Sequence, residues 1–139
     1  MADLVTNKGK FELFTGDANL DAADLRVCLV KTTAPTADTN TRSEVTELTV
    51  AGYAPQALTG ETVTEDDTND FAYLDATDPV FTGLAAGETV IGACLYRHVT
   101  GASDSPVYAF YDLTDTPTNG GDITVQFATP ANGGALKGA

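Results

Sequence analysis

The chain has 139 residues, enough for one ordinary domain, and 20 acidic against seven basic residues give a formal net charge of −13. Hydrophobic residues make up 42% of the sequence, too many for a disordered acidic tail. The charge argues against nucleic acid as a partner, because affinity for phosphate comes from clustered cations and these Lys and Arg residues are scattered. No apolar run approaches the ~20 residues of a spanning helix, and the first residues, Met-Ala-Asp-Leu, show no basic segment leading into an apolar one, so no secretory signal is expected. We therefore expect no nucleic-acid and no membrane partner.

The predicted elements, in chain order, are short strands separated by loops. Thr is common, with 22 residues, and its β-branched side chain suits strands. Residues 1–9 form an N-terminal arm, and Lys10–Phe14 is a run of apolar and charged residues that ends at a turn. The clearest strands have alternating or continuous apolar residues between turns and are Leu25–Val30, Leu58–Val63, Phe71–Leu74, Thr89–Tyr96, Val107–Tyr111 and Ile123–Phe127.

Three other segments complete the predicted organisation. Ser43–Leu48 indicates one or two helical turns, Glu65–Asp70 an acidic loop, and the Gly- and Ala-rich residues 131–139 a flexible tail. Seven or eight strands joined by turn-rich loops are most economically packed as two antiparallel sheets face to face. We therefore expect an all-β fold, an antiparallel β-sandwich or jelly roll, with a single domain over residues 10–130.

Two acidic segments are candidate metal sites. The segment Asp17–Asp21 begins like a calcium-binding EF-hand loop, with oxygen ligands at alternate positions. The pattern then fails, because Ala22 stands where that loop needs Gly and Cys28 where it needs a bidentate Glu. The run Glu65–Asp70 has enough carboxylates for a hard cation but no defining spacing. A solvated surface loop is the better interpretation of both, and we expect no metal and no cofactor.

The two cysteines, Cys28 and Cys94, lie 66 positions apart on separate predicted strands. An immunoglobulin-like bridge uses such a separation, but that sandwich also packs a Trp against the bridge, and this chain has no Trp. No signal points to an oxidising compartment, so two buried thiols are expected.

Catalysis would need His98, the single histidine, beside a nucleophile and a carboxylate. No spacing brings His98 to Ser43, Ser103 or Ser105, and neither Gly-x-Ser-x-Gly nor a phosphate-binding glycine loop occurs. Carboxylate pairs are not evidence for a glycosidase, because among 20 acidic residues some pair always approaches the separation of two catalytic carboxylates. We expect a protein without enzymatic activity.

Tyrosines and the N-terminal arm are the candidate contact residues. Tyr has apolar area and a polar tip and is enriched at protein interfaces, so Tyr53, Tyr108 and Tyr111, in or beside predicted strands, are candidates. Leu4 and Val5 give the arm a strand-like pattern that can add to the edge of a neighbouring sheet. The alternative is that the arm simply frays.

Two segments resemble small virion structural proteins of tailed bacteriophages. Residues 25–58 have a strand, a Thr-Thr-Ala-Pro-Thr loop, a short acidic stretch and then Gly-Tyr-Ala. Residues 88–127 have paired late strands, a Gly-Asp turn and a closing strand of alternating pattern. Together the two segments cover about half of the chain.

The resemblance implies a non-enzymatic virion protein. A compact domain with a radius of gyration of about 14 Å has no fibre shaft, and packaged DNA would repel a charge of −13 from inside a head. We therefore expect a capsid decoration or cement protein on the outer capsid surface, assembled in the host cytoplasm. It would bind the major capsid protein as a homo-oligomer, a trimer or dimer. Clustered copies multiply the acidic charge, so apolar contacts or basic partner surface must hold them together.

Two alternatives belong to other functional classes. A phage tail or baseplate protein, or a receptor-binding component, would attach at the tail and expose aromatic residues in loops. A carbohydrate-binding or calcium-dependent adhesion domain would place Asp17, Asn19 and Asp21, or Asp66 and Asp67, around a cation. The latter predicts a rise in melting temperature with calcium.

Overall fold

The computed structural model describes residues 3–138, and within this range the chain is mostly β. The described residues include one α-helix, α1 (Asn7–Thr15), and two single 3-10 turns, Arg42–Glu44 and Pro130–Asn132. They also include ten strands: β1 (Leu4–Val5), β2 (Leu25–Val30), β3 (Gln56–Ala57), β4 (Thr62–Asp66), β5 (Phe71–Asp75), β6 (Val80–Phe81), β7 (Thr89–Arg97), β8 (Val107–Pro117), β9 (Ile123–Thr124) and β10 (Leu136–Gly138). The expectation of a β-rich chain is confirmed, with one helix that the sequence did not predict.

The strands pair antiparallel and form three sheets. The largest has five strands in the order β1-β8-β7-β2-β3, the second has the order β10-β5-β4, and the third pairs β6 with β9. β4 and β5 are joined by a tight turn over residues 67–70 and form a hairpin. In the order β10-β5-β4, β4 is the terminal strand of its sheet.

The main hydrophobic core draws side chains from all three sheets. Leu29 of β2, Leu74 of β5 and Phe81 of β6 belong to one continuous cluster of buried residues. A smaller cluster contains Cys28 of β2 and Cys94 of β7. Because successive side chains of a strand point to opposite faces, Cys28 and Leu29 place the two clusters on opposite faces of the five-stranded sheet.

Four predicted strands are confirmed, and they are the most apolar ones. β2 has the predicted boundaries, while β5 and β7 each extend one residue further. β8 continues from the predicted end at Tyr111 to Pro117, because its polar second half pairs with the beginning of β7. The predicted helical turn in Ser43–Leu48 is a single 3-10 turn that begins one residue earlier.

The predicted strand Leu58–Val63 is wrong. Gly60, with a φ of +67°, turns the chain there, so β3 ends before Leu58 and β4 begins at Thr62. The last predicted strand is also shorter than expected and covers only β9, although Val125 and Phe127 are buried.

The tail predicted to be flexible carries β10 instead. β10 pairs with β5, and Ala135 and Leu136 are buried in the main core. The Tyr111 hydroxyl donates a hydrogen bond to Ala135 O (2.7 Å), which ties this segment to β8. At the other end, α1 crosses the predicted boundary at residue 10, and the predicted boundary at residue 130 falls within the exposed 3-10 turn Pro130–Asn132.

Candidate docking surface

α1 forms where the chain meets the beginning of β8. Thr6 is buried and caps the helix: its Oγ1 accepts a hydrogen bond from Gly9 N (2.9 Å) and donates one to Val107 O (2.5 Å). Gly9 lies so close to β8 that a Cβ there would come within 2.8 Å of Tyr108 O. Gly16 ends the helix with a φ of +80°, which glycine adopts without strain. Capping and close backbone packing therefore define this helix.

The side chains of α1 are arranged opposite to those of an ordinary amphipathic helix. Glu12 faces inwards and is only 3% exposed, whereas Phe14 is 92% and Phe11 57% exposed. Leu13 lies at the edge and is also exposed. A surface helix normally turns its apolar stripe towards the core, and contiguous exposed apolar residues mark binding surfaces. Phe11, Leu13 and Phe14 are hereafter the helix patch.

A polar network holds α1 in this orientation. Glu12 Oε2 accepts hydrogen bonds from the Tyr108 hydroxyl (2.5 Å) and from Arg97 Nη2 (3.2 Å), and Lys8 Nζ lies 3.2 Å from Glu12 Oε1. Arg97 Nε also donates to the Tyr108 hydroxyl (2.9 Å). Burial would raise the pKa of Glu12, but the bonds from Tyr108, Lys8 and Arg97 outweigh it and hold the pKa below its ordinary value. Glu12 is therefore ionised at neutral pH and anchors the helix patch facing outwards.

The helix patch continues into a shallow apolar groove of about 140 Å³. Leu13 and Leu20 form one side of the groove, and Val63 of β4, which is 49% exposed, forms the other. The floor is a row of register partners across β5 and β10, Leu74 and Leu136. These residues are hereafter the apolar groove. Its lining is almost wholly apolar although it is open to solvent.

The β4–β5 hairpin beside the groove is acidic. Between residues 61 and 75 the sequence has six carboxylates and no Lys or Arg. Asp66 is engaged within its own turn, where it accepts hydrogen bonds from Asn69 Nδ2 (2.9 Å), Asn69 N (3.1 Å) and Thr68 N (3.1 Å), which lower its pKa. Glu65, Asp67 and Asp70 are exposed. A cation, Lys137 of β10, lies close to the hairpin, and its Nζ is 4.1 Å from the centroid of the Phe71 ring. One surface region thus combines an apolar groove with an excess of negative charge.

The structure places the five predicted contact residues in different environments. Leu4 and Val5 are half-buried in β1, which pairs with β8 of the same chain, so the arm adds to the edge of its own sheet. Tyr108 and Tyr111 are core residues rather than surface contacts, because each side chain is buried and its hydroxyl is hydrogen-bonded internally.

Tyr53 is half-buried and also serves internal packing. Its hydroxyl donates to Glu47 Oε1 (2.6 Å) and accepts from Leu29 N (3.1 Å), and its ring stacks on Phe81. Burial, with the bond to Glu47, raises the pKa of Tyr53. Arg42 binds the same Glu47 carboxylate through two bonds of 2.8 and 3.1 Å. Tyr53 therefore ties the loop after the 3-10 turn to β2.

The candidate metal and catalytic residues do not converge on one site, and several have partners of their own. Asp17 accepts from the Thr15 hydroxyl (2.8 Å), and Asp24 pairs with Arg26 through bonds of 3.0 and 2.9 Å. Across residues 3–138, no group of three or more His, Cys, Asp or Glu side chains converges as a metal site would require. Ser105 closes its own loop by donating to Gly101 O (2.6 Å), and His98 Nδ1 is buried without a hydrogen-bond partner in the described chain.

Cys28 and Cys94 are buried thiols, as predicted, and lie directly opposite each other on β2 and β7. In the same ladder His98 N donates to Asp24 O, and hydrogen-bonded pairs alternate along antiparallel strands. Cys28 and Cys94 are therefore a hydrogen-bonded pair, whose Cβ atoms lie about 5 Å apart, whereas a disulfide needs about 4 Å. The strands would have to distort before a bridge could form.

Sequence reasoning missed the residues of the helix patch and of the apolar groove. The run Lys10–Phe14 was identified only as apolar and charged, and nothing in the spacing of Phe11, Leu13 and Phe14 shows which face of the element is outward. The available signals were Thr6 and Gly16, a capping residue and a glycine that bracket a helix of the observed length. No sequence pattern indicated that Glu12 would lie inside.

Of the helices in residues 3–138, none is long and apolar enough to cross a membrane. No protein-family model matches the chain, and no significant match to it was found among curated proteins or among solved structures.

Proposed function

We propose that this chain is a structural virion protein without enzymatic activity, a decoration or cement protein that binds the outer surface of a tailed-phage head. Its partner would be the major capsid protein, its own state a dimer or trimer, and its site the helix patch. No cofactor is part of this function. The resemblance of residues 25–58 and 88–127 to small virion proteins supports the class.

The observation that carries the proposal is the exposure of Phe11 and Phe14 around the buried Glu12. Exposing two Phe side chains to water forgoes about 1.5–3 kcal/mol for each ring that could be buried. The chain nevertheless holds them outwards with a buried carboxylate, whose own burial is costly unless it is hydrogen-bonded. Burial of these rings against another protein would recover that free energy.

The charge distribution supports attachment to the outside of a shell. A net charge of −13 is repelled by packaged DNA and favours a basic partner surface. Charges near the contact act over about 8 Å at physiological salt, so the acidic hairpin beside the apolar groove would contribute most strongly at low ionic strength.

We also propose that the three sheets are the two layers of a β-sandwich. The five-stranded sheet would be one layer, and the β10-β5-β4 and β6-β9 sheets together the other. The continuous core shared by Leu29, Leu74 and Phe81 supports this arrangement, because each of these side chains comes from a different sheet.

The test is binding to capsids that lack the protein, measured by co-sedimentation, after native mass spectrometry has established the oligomeric state. The double variant Phe11→Ser/Phe14→Ser should lose most of its binding, because it removes the two largest exposed apolar side chains. Val80→Thr is the control, since Val80 is also an exposed apolar residue (44%) but belongs to β6.

Saturation at many copies per shell, lost in the double variant and kept in the control, would support decoration. Binding at only a few copies, or to tails alone, would overturn it and favour a tail, baseplate or receptor-binding component. Equal binding of the double variant and the wild-type chain would show that the helix patch is not part of the contact with the capsid.

A further inference from the structure

The free edge of β4 is a second feature of the surface beside the helix patch. Within residues 3–138, β4 ends its sheet and is bonded on one side only, to β5. Its residues Thr62, Val63, Thr64 and Glu65 are exposed, and it contains neither Pro nor Lys. Natural proteins usually protect such an edge with charged side chains, Pro, a bulge or a covering segment, because it can pair with a strand of another chain. The charges on β4 are the acidic Glu65 and Asp66, which oppose an acidic strand and favour a basic one.

The hydrogen-bonding pattern shows which backbone groups of β4 are free. Ala135 N donates to Leu74 O (2.8 Å), so the peptide groups of Leu74 point towards the β10 side. The backbone N–H and C=O groups of its neighbour Tyr73, the register partner of Thr64, then point towards β4. Within β4, Thr62 and Thr64 therefore bond to β5, while Val63 and Glu65 direct their N–H and C=O groups outwards.

The two faces of this edge differ in chemistry. Val63 shares its face with the apolar groove, where Leu13 and Leu20 are accessible. Side chains alternate along a strand, so Glu65 shares the face of Val63, whereas Thr64 and Asp66 lie on the opposite face. The hairpin carries six acids and no base between residues 61 and 75. A strand added here would place alternate side chains over the apolar groove and the others beside carboxylates.

We propose that β4 binds an extended segment of a partner protein in which apolar and basic residues alternate, added as a further strand of the β10-β5-β4 sheet. The inference rests on the proposed attachment function, in which the segment would belong to the shell protein. Backbone hydrogen bonds to Val63 and Glu65 would supply affinity, and the two faces would supply specificity.

Charge complementarity selects this occupant over a second copy of the chain. Two copies paired through β4 would bring two sets of six carboxylates together without a Lys or Arg in either hairpin. Like charges opposite each other on neighbouring strands are destabilising. A basic partner removes the repulsion and gains favourable pairs with Asp66 and Asp67.

The test measures fluorescence anisotropy of a labelled, end-blocked peptide that alternates valine and lysine, titrated with the full chain at low ionic strength. Two comparison peptides alternate valine with glutamate, or carry prolines that prevent strand pairing. The valine–lysine peptide should bind at least about tenfold more tightly than either, the equivalent of one or two hydrogen bonds and charge pairs. Equal affinities for the three peptides would overturn the proposal.

Two variants separate the backbone contribution from the charge. Glu65→Gln removes the charge but keeps the N–H group, whereas Glu65→Pro removes both and spares the bonds to β5. The proline variant should bind the peptide about fivefold more weakly than the glutamine variant, as one lost hydrogen bond requires. Hydrogen exchange on the wild-type chain gives an independent readout: the amides of Val63 and Glu65 should gain protection from the peptide, and unchanged exchange there would overturn the proposal.

Capsid binding and peptide binding together distinguish a failure of the β4 contact from a failure of the proposed function. If Glu65→Pro binds capsids like the wild-type chain while Phe11→Ser/Phe14→Ser does not, attachment stands and the β4 contact is wrong. If the wild-type chain binds no capsid but the peptide results are as expected, the β4 contact stands and decoration is wrong.

Discussion

Replacing Glu12 with alanine should loosen α1 from the five-stranded sheet. The carboxylate accepts two hydrogen bonds at 2.5 and 3.2 Å and pairs with Lys8. Removing one partner of a buried ion pair typically costs about 3–5 kcal/mol. Here the Arg97 and Lys8 side chains are 28% and 33% exposed, so water can partly resolvate them. We therefore expect a loss of about 2–4 kcal/mol in the free energy of unfolding, or about 10 °C in Tm for a domain of this size.

The assay is thermal and chemical denaturation at neutral pH, with Lys10→Ala as the control because Lys10 is exposed on α1 outside the network. Glu12→Ala and Tyr108→Phe should be coupled in a double-mutant cycle by about 1 kcal/mol, since each removes the same 2.5 Å bond. A loss below about 0.5 kcal/mol for Glu12→Ala, the size of an ordinary surface effect, would refute the reasoning.

Acid provides a second test of the same network. The folded pKa of Glu12 lies below its ordinary value of 4.5, so its contribution is fully present above that value and is lost as pH falls through the folded pKa. The difference in stability between the wild-type chain and Glu12→Gln should therefore shrink in acid. A difference independent of pH would mean that the charge of the carboxylate contributes nothing.

Three further outcomes are expected. Gly92→Ala should cost about 1–3 kcal/mol by chemical denaturation, because a Cβ there would lie 2.4 Å from the Phe110 ring, and a neutral result would contradict the close packing of that ring. Cys28 and Cys94 should stay reduced and react with a thiol reagent only on unfolding; fast reaction of the folded chain would contradict their burial. Bonds from Lys31 and Thr49 lower the pKa of Glu88 to about 2, so its stabilising contribution is present above its ordinary value of 4.5 and is lost as pH falls towards 2. Lys31→Ala should shift the NMR titration midpoint of Glu88 upwards, and an unmoved midpoint would show that Lys31 is not responsible.

The central strands could be predicted because burial on both faces leaves a continuous apolar signature. Leu25–Val30 shows this best, since every residue except Arg26 is buried and the strand has the predicted boundaries. The hairpin strand β5 was predictable from its alternation. β3 and β4 were not, because one glycine, Gly60, breaks an apparently continuous run and a sequence window does not show where pairing stops.

The two ends of the chain were misjudged for one physical reason. The Gly- and Ala-rich composition of the tail predicts flexibility, and the arm was expected either to add to the edge of a neighbouring sheet or to fray. Both are instead completed by distant parts of the chain: Thr6 bonds to Val107, and Ala135 to Tyr111, across separations that no local pattern encodes. Local sequence likewise does not show the environment of Tyr108, because its hydroxyl bonds to Glu12, 96 positions away in the chain.

α1 shows why the candidate site was harder to predict than the fold. Sequence reasoning assigns apolar residues to the inside, and at Phe11, Phe14 and Glu12 that assignment is inverted. Such local violations of patterning cost stability and persist where something else offsets them, which is why they concentrate at functional sites. Inside the chain the offset is the hydrogen bonding of Glu12 by Tyr108 and Arg97. On the outer side, Lys8 Nζ lies 5.4 Å from the centroid of the Phe11 ring, but both rings stay exposed to water. Burial against the proposed partner would offset this exposure.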